Sequence, residues 1–173
     1  MSYTRLNIVP PGLITFTWTK ESIHDQCYQQ SQLAGLAATD KEGNPAKVLM
    51  MNEDRDFFIE NHVENCLQKL SAIFHMVNKD DITPYSVGSN YSLKITDWGT
   101  IKNVQISNLD GLLSQAIVAH VLQQWFSTNG IKTDYLEQYG SVLIAISKYL
   151  YVLLKRSDRA VSEETEMVEV ISV

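Results

Sequence analysis

Cysteine is scarce in this chain: Cys27 and Cys66 are the two thiols among 173 residues. Two cysteines cannot build the disulfide framework of a small secreted domain, so a reduced setting of the bacterial-cytosol type is the expectation. A basic excess is also missing. Fourteen Lys and Arg face twenty Asp and Glu, for a formal charge of −6. A general nucleic-acid or anionic-membrane binder carries the opposite balance, so neither partner is expected. Long apolar runs are absent. The stretch around Leu150–Leu154 is far below the ~20 residues that a membrane helix needs. Met1–Leu13 has neither the basic start nor the apolar run of a signal peptide. No Gly-rich phosphate loop, Gly-x-Ser-x-Gly elbow or His-Glu-x-x-His occurs. No cofactor and no catalytic residue is therefore expected.

What remains is an ordinary globular composition, 45% hydrophobic and 20% charged. That length and balance suit one domain with a real core. The acid is unevenly placed. Residues 161–173 hold four Glu and no base, so they carry −4 of the −6 and leave the body near neutral. The expected organisation is a single helical domain over residues 1–157, with a hairpin at about 89–107, followed by an acidic tail over 158–173.

Apolar periodicity places the elements. Leu13–Trp18 alternates apolar and hydroxyl side chains, as a short strand does. Thr19 reads as the cap of a first helix running from Lys20 to about Ala38. Its apolar pattern is weak, with Ile23, Cys27 and Ala34 set among glutamines. Asn52 is suited to cap a second helix, with Glu53 and Asp54 on its first turn. Ile59, Val63, Cys66, Leu67, Leu70, Ile73, Phe74 and Val77 then follow steps of three and four.

Tyr91–Ile95 and Val104–Ile106 both alternate, and Thr96–Thr100 with Gly99 lies between them. This pattern predicts an antiparallel hairpin with Trp98 at its tip. Ser107 or Asn108 caps a third helix whose stripe runs from Leu109 to Trp125 and which Asn129-Gly130 closes. Asp134 and Glu137 form the capping box of a fourth. The fourth helix has two apolar sets. Ile144, Ala145, Tyr151, Val152 and Leu154 widen its arc beyond one core face. Either it is the central helix, or it keeps a second face for another subunit. The expected fold is mainly α within the α+β class: an antiparallel bundle of about four helices, one projecting hairpin and a short N-terminal strand. The tail is either disordered or a strand that pairs with a sheet edge through Val168 and Val170.

Two local pairs, His24 with Cys27 and His62 with Cys66, would each share a helix face. Together they have the ligand types of a tetrahedral zinc site. Their spacing is not that of a zinc module, and Cys66 belongs to an apolar stripe, so buried packing is the expectation and no metal is assigned. His120 likewise reads as a core histidine. The interaction candidates are Trp98, Tyr151, Val168 and Val170.

The order of elements carries a resemblance. Thr15–Lys20 leads into the first helix, and Asn52-Glu-Asp-Arg-Asp-Phe-Phe58 opens the second. A hairpin, the Gln115–Phe126 helix and a last helix ending Leu153-Leu-Lys-Arg156 follow. Over roughly residues 13–157 this resembles the head–tail adaptor or neck class of virion proteins encoded by Bacteroidales prophages. The acidic tail departs from that pattern. The resemblance implies assembly rather than catalysis: a head–tail connector subunit acting by ring-type homo-oligomerisation. Its partners would be further copies and other virion components such as portal or tail proteins, in a bacterial host cytoplasm or a virion. The alternative is a small intracellular ligand- or protein-binding helical module, with a pocket lined by Tyr135, Tyr139 and Trp125.

Overall fold

The structure is a computed structural model that describes residues 14–38, 43, 44, 46–77, 82–95, 103–129, 137 and 140–149. It is a mainly helical α+β protein with a β-hairpin, as expected. Strand β1 (Ile14–Thr19) runs directly into helix α1 (Lys20–Ala37). Two single 3-10 turns, Lys47–Leu49 and Glu53–Arg55, lead to α2 (Asp56–Val77). Strands β2 (Ile82–Val87) and β3 (Asn90–Ile95) precede α3 (Asn103–Thr128). Residues 140–149 form α4.

Local chemistry sets several of these boundaries. Thr19 is extended, and its hydroxyl accepts the Ser22 N–H at 3.2 Å, so the strand ends where the helix begins. Asn52 makes no such side-chain bond, and the chain passes through a 3-10 turn before α2 starts at Asp56. Gly88 takes φ +58, which allows the two-residue turn joining β2 to β3.

The hairpin differs from the expected one. Its strands are β2 and β3, and the segment with Val104 and Ile106 opens α3 instead. Ile106 is buried on the same stripe as Leu109 and Leu113, so a helical period holds from Ile106 onward. Nor does the hairpin project. The sheet order is β1-β3-β2, which makes β3 its central strand, with Tyr91 and Leu93 fully buried. Register pairs Ile14 with Ile95, Phe16 with Leu93 and Trp18 with Tyr91. Ile14, Phe16, Trp18, Tyr91 and Leu93 bring one apolar face of the sheet into the core.

The central helix is α3 rather than α4. Every residue from Ala116 to Leu122 is buried. Helix α3 packs against both α1 and α2, and α2 also meets β2. On α2, Ile59, Val63, Cys66, Leu67 and Leu70 form the buried stripe that the spacing predicts. Each such large apolar side chain contributes about 1.5–3 kcal/mol through burial. Helix α4 is peripheral. Ile146 faces the core while Ile144 stays 57% exposed. The tail at 158–173 lies outside the described residues.

Candidate interaction surface

Helix α1 buries Ile23, His24, Cys27, Ser31 and Gly35. The last two are a hydroxyl and a glycine, while Leu33 and Leu36 beside them are 66% and 60% exposed. The C-terminal half of α1 is therefore turned inside out. The cause lies in what it packs against. Ser31 Oγ donates to Tyr28 O at 2.9 Å and accepts the Met51 N–H at 3.0 Å. The Ala46 N–H reaches both Gly35 O and Ala38 O, at 2.9 and 3.0 Å. A Cβ on Gly35 would lie 2.6 Å from Met50 Cγ and 3.1 Å from Ala46 O. This face of α1 receives main chain at close range, which small and polar residues allow and leucine does not. The leucines are left outside. Val48 on the adjoining 3-10 turn, Phe57 at the start of α2 and Ile144 are also more than half exposed.

Trp125 fixes the same connecting segment from the core side. Its Nε1–H donates to Leu49 O at 2.8 Å, and its ring meets Phe58 edge-on with Arg55 over one face. Trp125 is therefore a packing and anchoring residue.

A polar chain joins three elements. His24 Nδ1 lies 2.9 Å from Asp56 Oδ1, and its Nε2 lies 3.0 Å from the Tyr91 hydroxyl. Tyr28 also donates its hydroxyl to Asp56 Oδ1. In the neutral imidazole, Nδ1–H donates to the carboxylate and Nε2 accepts from Tyr91. Burial, then the negative charges of Glu60, Glu64 and Asp56, push the Tyr91 phenol well above its usual range. Burial and the Asp56 hydrogen bond do the same for Tyr28. The order Asp–His–hydroxyl is that of a nucleophile-activating triad. Here the hydroxyl belongs to a tyrosine with no exposed surface, so no substrate atom can approach it. The chain acts as a strut between α1, α2 and β3. Lys20 and Glu60 add a 2.8 Å ion pair at its edge. Beside Tyr28 lies an open cleft of about 300 Å³ lined by Gln32, Asn52, Glu53 and Asp54.

His62 and His120 form a second cluster between α2 and α3, their rings 6.2 Å apart. His62 also packs on Phe58 at 4.2 Å. Burial first, and then Lys69 and His62, hold the His120 imidazole down to about 4. Burial and Lys69 lower His62 as well. Cys66 Sγ donates to Ala116 O at 3.8 Å, and Cys27 is buried with its thiol pushed up to about 12 by desolvation. The two His–Cys pairs thus serve different places. His24 is committed to Asp56 and Tyr91, while Cys66 faces α3. Among the described residues, no group of three or more His, Cys, Asp or Glu is placed to hold a metal ion.

The interaction candidates Trp98, Tyr151, Val168 and Val170 lie outside the described residues, as do Tyr135 and Tyr139. Leu33 and Leu36 were not singled out by sequence reasoning. Their signal was the weak first-helix pattern: Ile23, Cys27, Ser31 and Gly35 recur every four residues, and the leucines fall off that line. Among the described residues, no helix is long and apolar enough to cross a membrane. No protein-family profile, no curated protein and no solved structure matches the chain.

Proposed function

We propose that this chain is a non-catalytic assembly subunit that associates with copies of itself and with other virion proteins. The resemblance to head–tail connectors of the neck class suggests that role, in a virion or a bacterial host cytoplasm. The observation that carries it is the inverted half of α1. Leu33 and Leu36 hold their apolar surface in solvent while Ser31 and Gly35 take the inner positions. Single exposed leucines are common on monomers. Two of them one turn apart, on a half-helix whose core face is filled by Ser31 and Gly35, fit a contact that a neighbour completes. On α4, Ile144 is also exposed, which supports the same reading.

Size-exclusion chromatography with light scattering tests this reading over a concentration series, with and without purified portal or tail proteins. The expected result is a mass that rises with concentration or with partner, and falls back to the monomer in Leu33→Gln/Leu36→Gln. A strict monomer at every concentration, unchanged by those partners, would overturn the proposal.

A further inference from the structure

The three-stranded sheet has two outer edges, and they are not equivalent. Strand β2 carries Pro84, paired in register with Leu93. The two-residue turn makes Val87 and Asn90 a hydrogen-bonded pair, so the nitrogen of Pro84 faces outward. Proline there denies a donor to any incoming strand. Strand β1 has no such protection. Its sequence Ile14-Thr-Phe-Thr-Trp-Thr19 contains no proline and no charge, and its register with β3 is unbroken.

The ladder shows which groups that edge offers. Lys20 N–H donates to Ser89 O at 2.8 Å, so the positions two, four and six residues earlier bond to β3. The N–H and C=O groups of Thr15 and Thr17 therefore point away from the sheet. Among the described residues, nothing pairs with them. A second observation lies on the same strand. The indole Nε1 of Trp18 is buried without a hydrogen-bond partner, in a side chain that is only 3% exposed. An orphaned buried donor is destabilising until an acceptor meets it.

We propose that the outer edge of β1 is a strand-docking site whose occupant is the C-terminal segment Val168–Val173 of a second copy of this chain. The choice of a second copy rests on the assembly reading above. Four of the six residues, Val168, Val170, Ile171 and Val173, are β-branched, which suits an added strand. Laid parallel to β1 with Val168 level with Ile14, the segment continues the apolar face of Ile14, Phe16 and Trp18 with Val168 and Val170. Ser172 then comes level with Trp18, and its hydroxyl meets the buried indole N–H once the ring turns toward the edge. Glu169 falls on the opposite face, in the row of Thr15 and its cross-strand neighbour Lys94. Glu169 and Lys94 then share a face two strands apart, with Thr15 between them. A copy that lends its segment to one neighbour and receives one from another makes a heterologous contact, the kind that closes into rings.

The test mixes two full-length variants, Thr17→Cys and Ile171→Cys, under mild oxidation. The expected product is a disulfide-linked dimer that forms in the mixture and in neither variant alone. Adding Thr15→Pro to the Thr17→Cys chain removes an outward N–H without touching the β1–β3 ladder. It should abolish the cross-link while leaving the circular dichroism spectrum unchanged. The proposal is overturned by the absence of a cross-link, by Thr17→Cys dimerising with itself, or by a disulfide within one chain that carries both Thr17→Cys and Ile171→Cys. Light scattering on the unaltered chain separates the two ideas. Oligomers without this cross-link leave the assembly reading standing and remove the β1 edge from it.

Discussion

Helices α1 and α3 both depart from the one-sided apolar helix, for opposite reasons. On α3, Ala116 to Leu122 are buried all round, and both α1 and α2 pack against it. The two alanines and two valines of this stretch are small enough to suit neighbours on more than one side. On α1, the inner face of the C-terminal half meets main chain rather than side chains, so Ser31 and Gly35 go in and leucines go out. A weak amphipathic pattern thus has two physical sources: too many packing partners, or a partner that is itself backbone. The first kind of helix gains its stability within the chain. The second leaves apolar surface exposed.

Substitutions can break that contrast. The largest effect is expected at Phe126, fully buried on α3. Phe126→Ala should cost about 3–5 kcal/mol in urea unfolding, the usual range for deleting a buried aromatic. A loss of only a few tenths would mean that α3 is not the centre of the core.

Next is the acid sensitivity that His120 brings to the same helix. The unfolded imidazole titrates near 6.5, whereas the folded one is held down to about 4. Its neutral form therefore contributes stability that is complete above that window, declines as pH falls through it, and is gone below it. The contribution near neutrality is about 3 kcal/mol. His120→Gln should flatten this part of the pH–stability curve relative to the unaltered chain. Equal slopes in the two proteins would show that the imidazole is free to charge.

Gly35 probes the backbone contact of α1. Gly35→Ala gains up to ~1 kcal/mol of helix propensity. Even so, we expect a net loss of roughly 1 kcal/mol, because the new Cβ meets Met50 Cγ and Ala46 O. Met50→Ala in the same chain should recover part of it, which a double-mutant cycle measures as coupling. Stabilisation by Gly35→Ala alone would show that the connecting segment yields easily.

The smallest stability change is expected on the outer face. Leu33→Gln and Leu36→Gln should each stay within about 0.5 kcal/mol in unfolding experiments. Their effect should appear in association, as a lower mass by light scattering. Costs comparable to that of Phe126→Ala would place these leucines in the chain's own core.

Sequence periodicity made α2 legible because its stripe is long, single and unbroken. The Thr19 cap was legible too, since a hydroxyl just before a helical segment has one evident use. The hairpin was legible only in half. Tyr91, Leu93 and Ile95 alternate clearly, but the alternating run that the sequence offers as their partner is downstream, at Val104 and Ile106. Three residues of apparent alternation also fit the first turn of a helix, and burial at Ile106, Leu109 and Leu113 decides for the helix. The true partner strand contains Pro84, which discourages a strand assignment unless that strand is an edge. The Gly88-Ser89 pair was the missed turn signal. The polar strut was not legible at all. His24 meets Asp56 and Tyr91, residues 32 and 67 positions away, and no local spacing announces such a contact.

The buried thiols have a practical consequence. Cys27 and Cys66 have no exposed surface, and burial keeps Cys27 protonated at neutral pH. A thiolate-seeking reagent can reach them only when the surrounding helices part. Their labelling rate is then a built-in clock for opening events, read without any added probe. Because Cys27 sits on α1 and Cys66 on the α2 face toward α3, the two rates time separate parts of the molecule. If α1 can loosen by itself, Cys27 will react first; if the core opens only as a whole, the two will keep the same time.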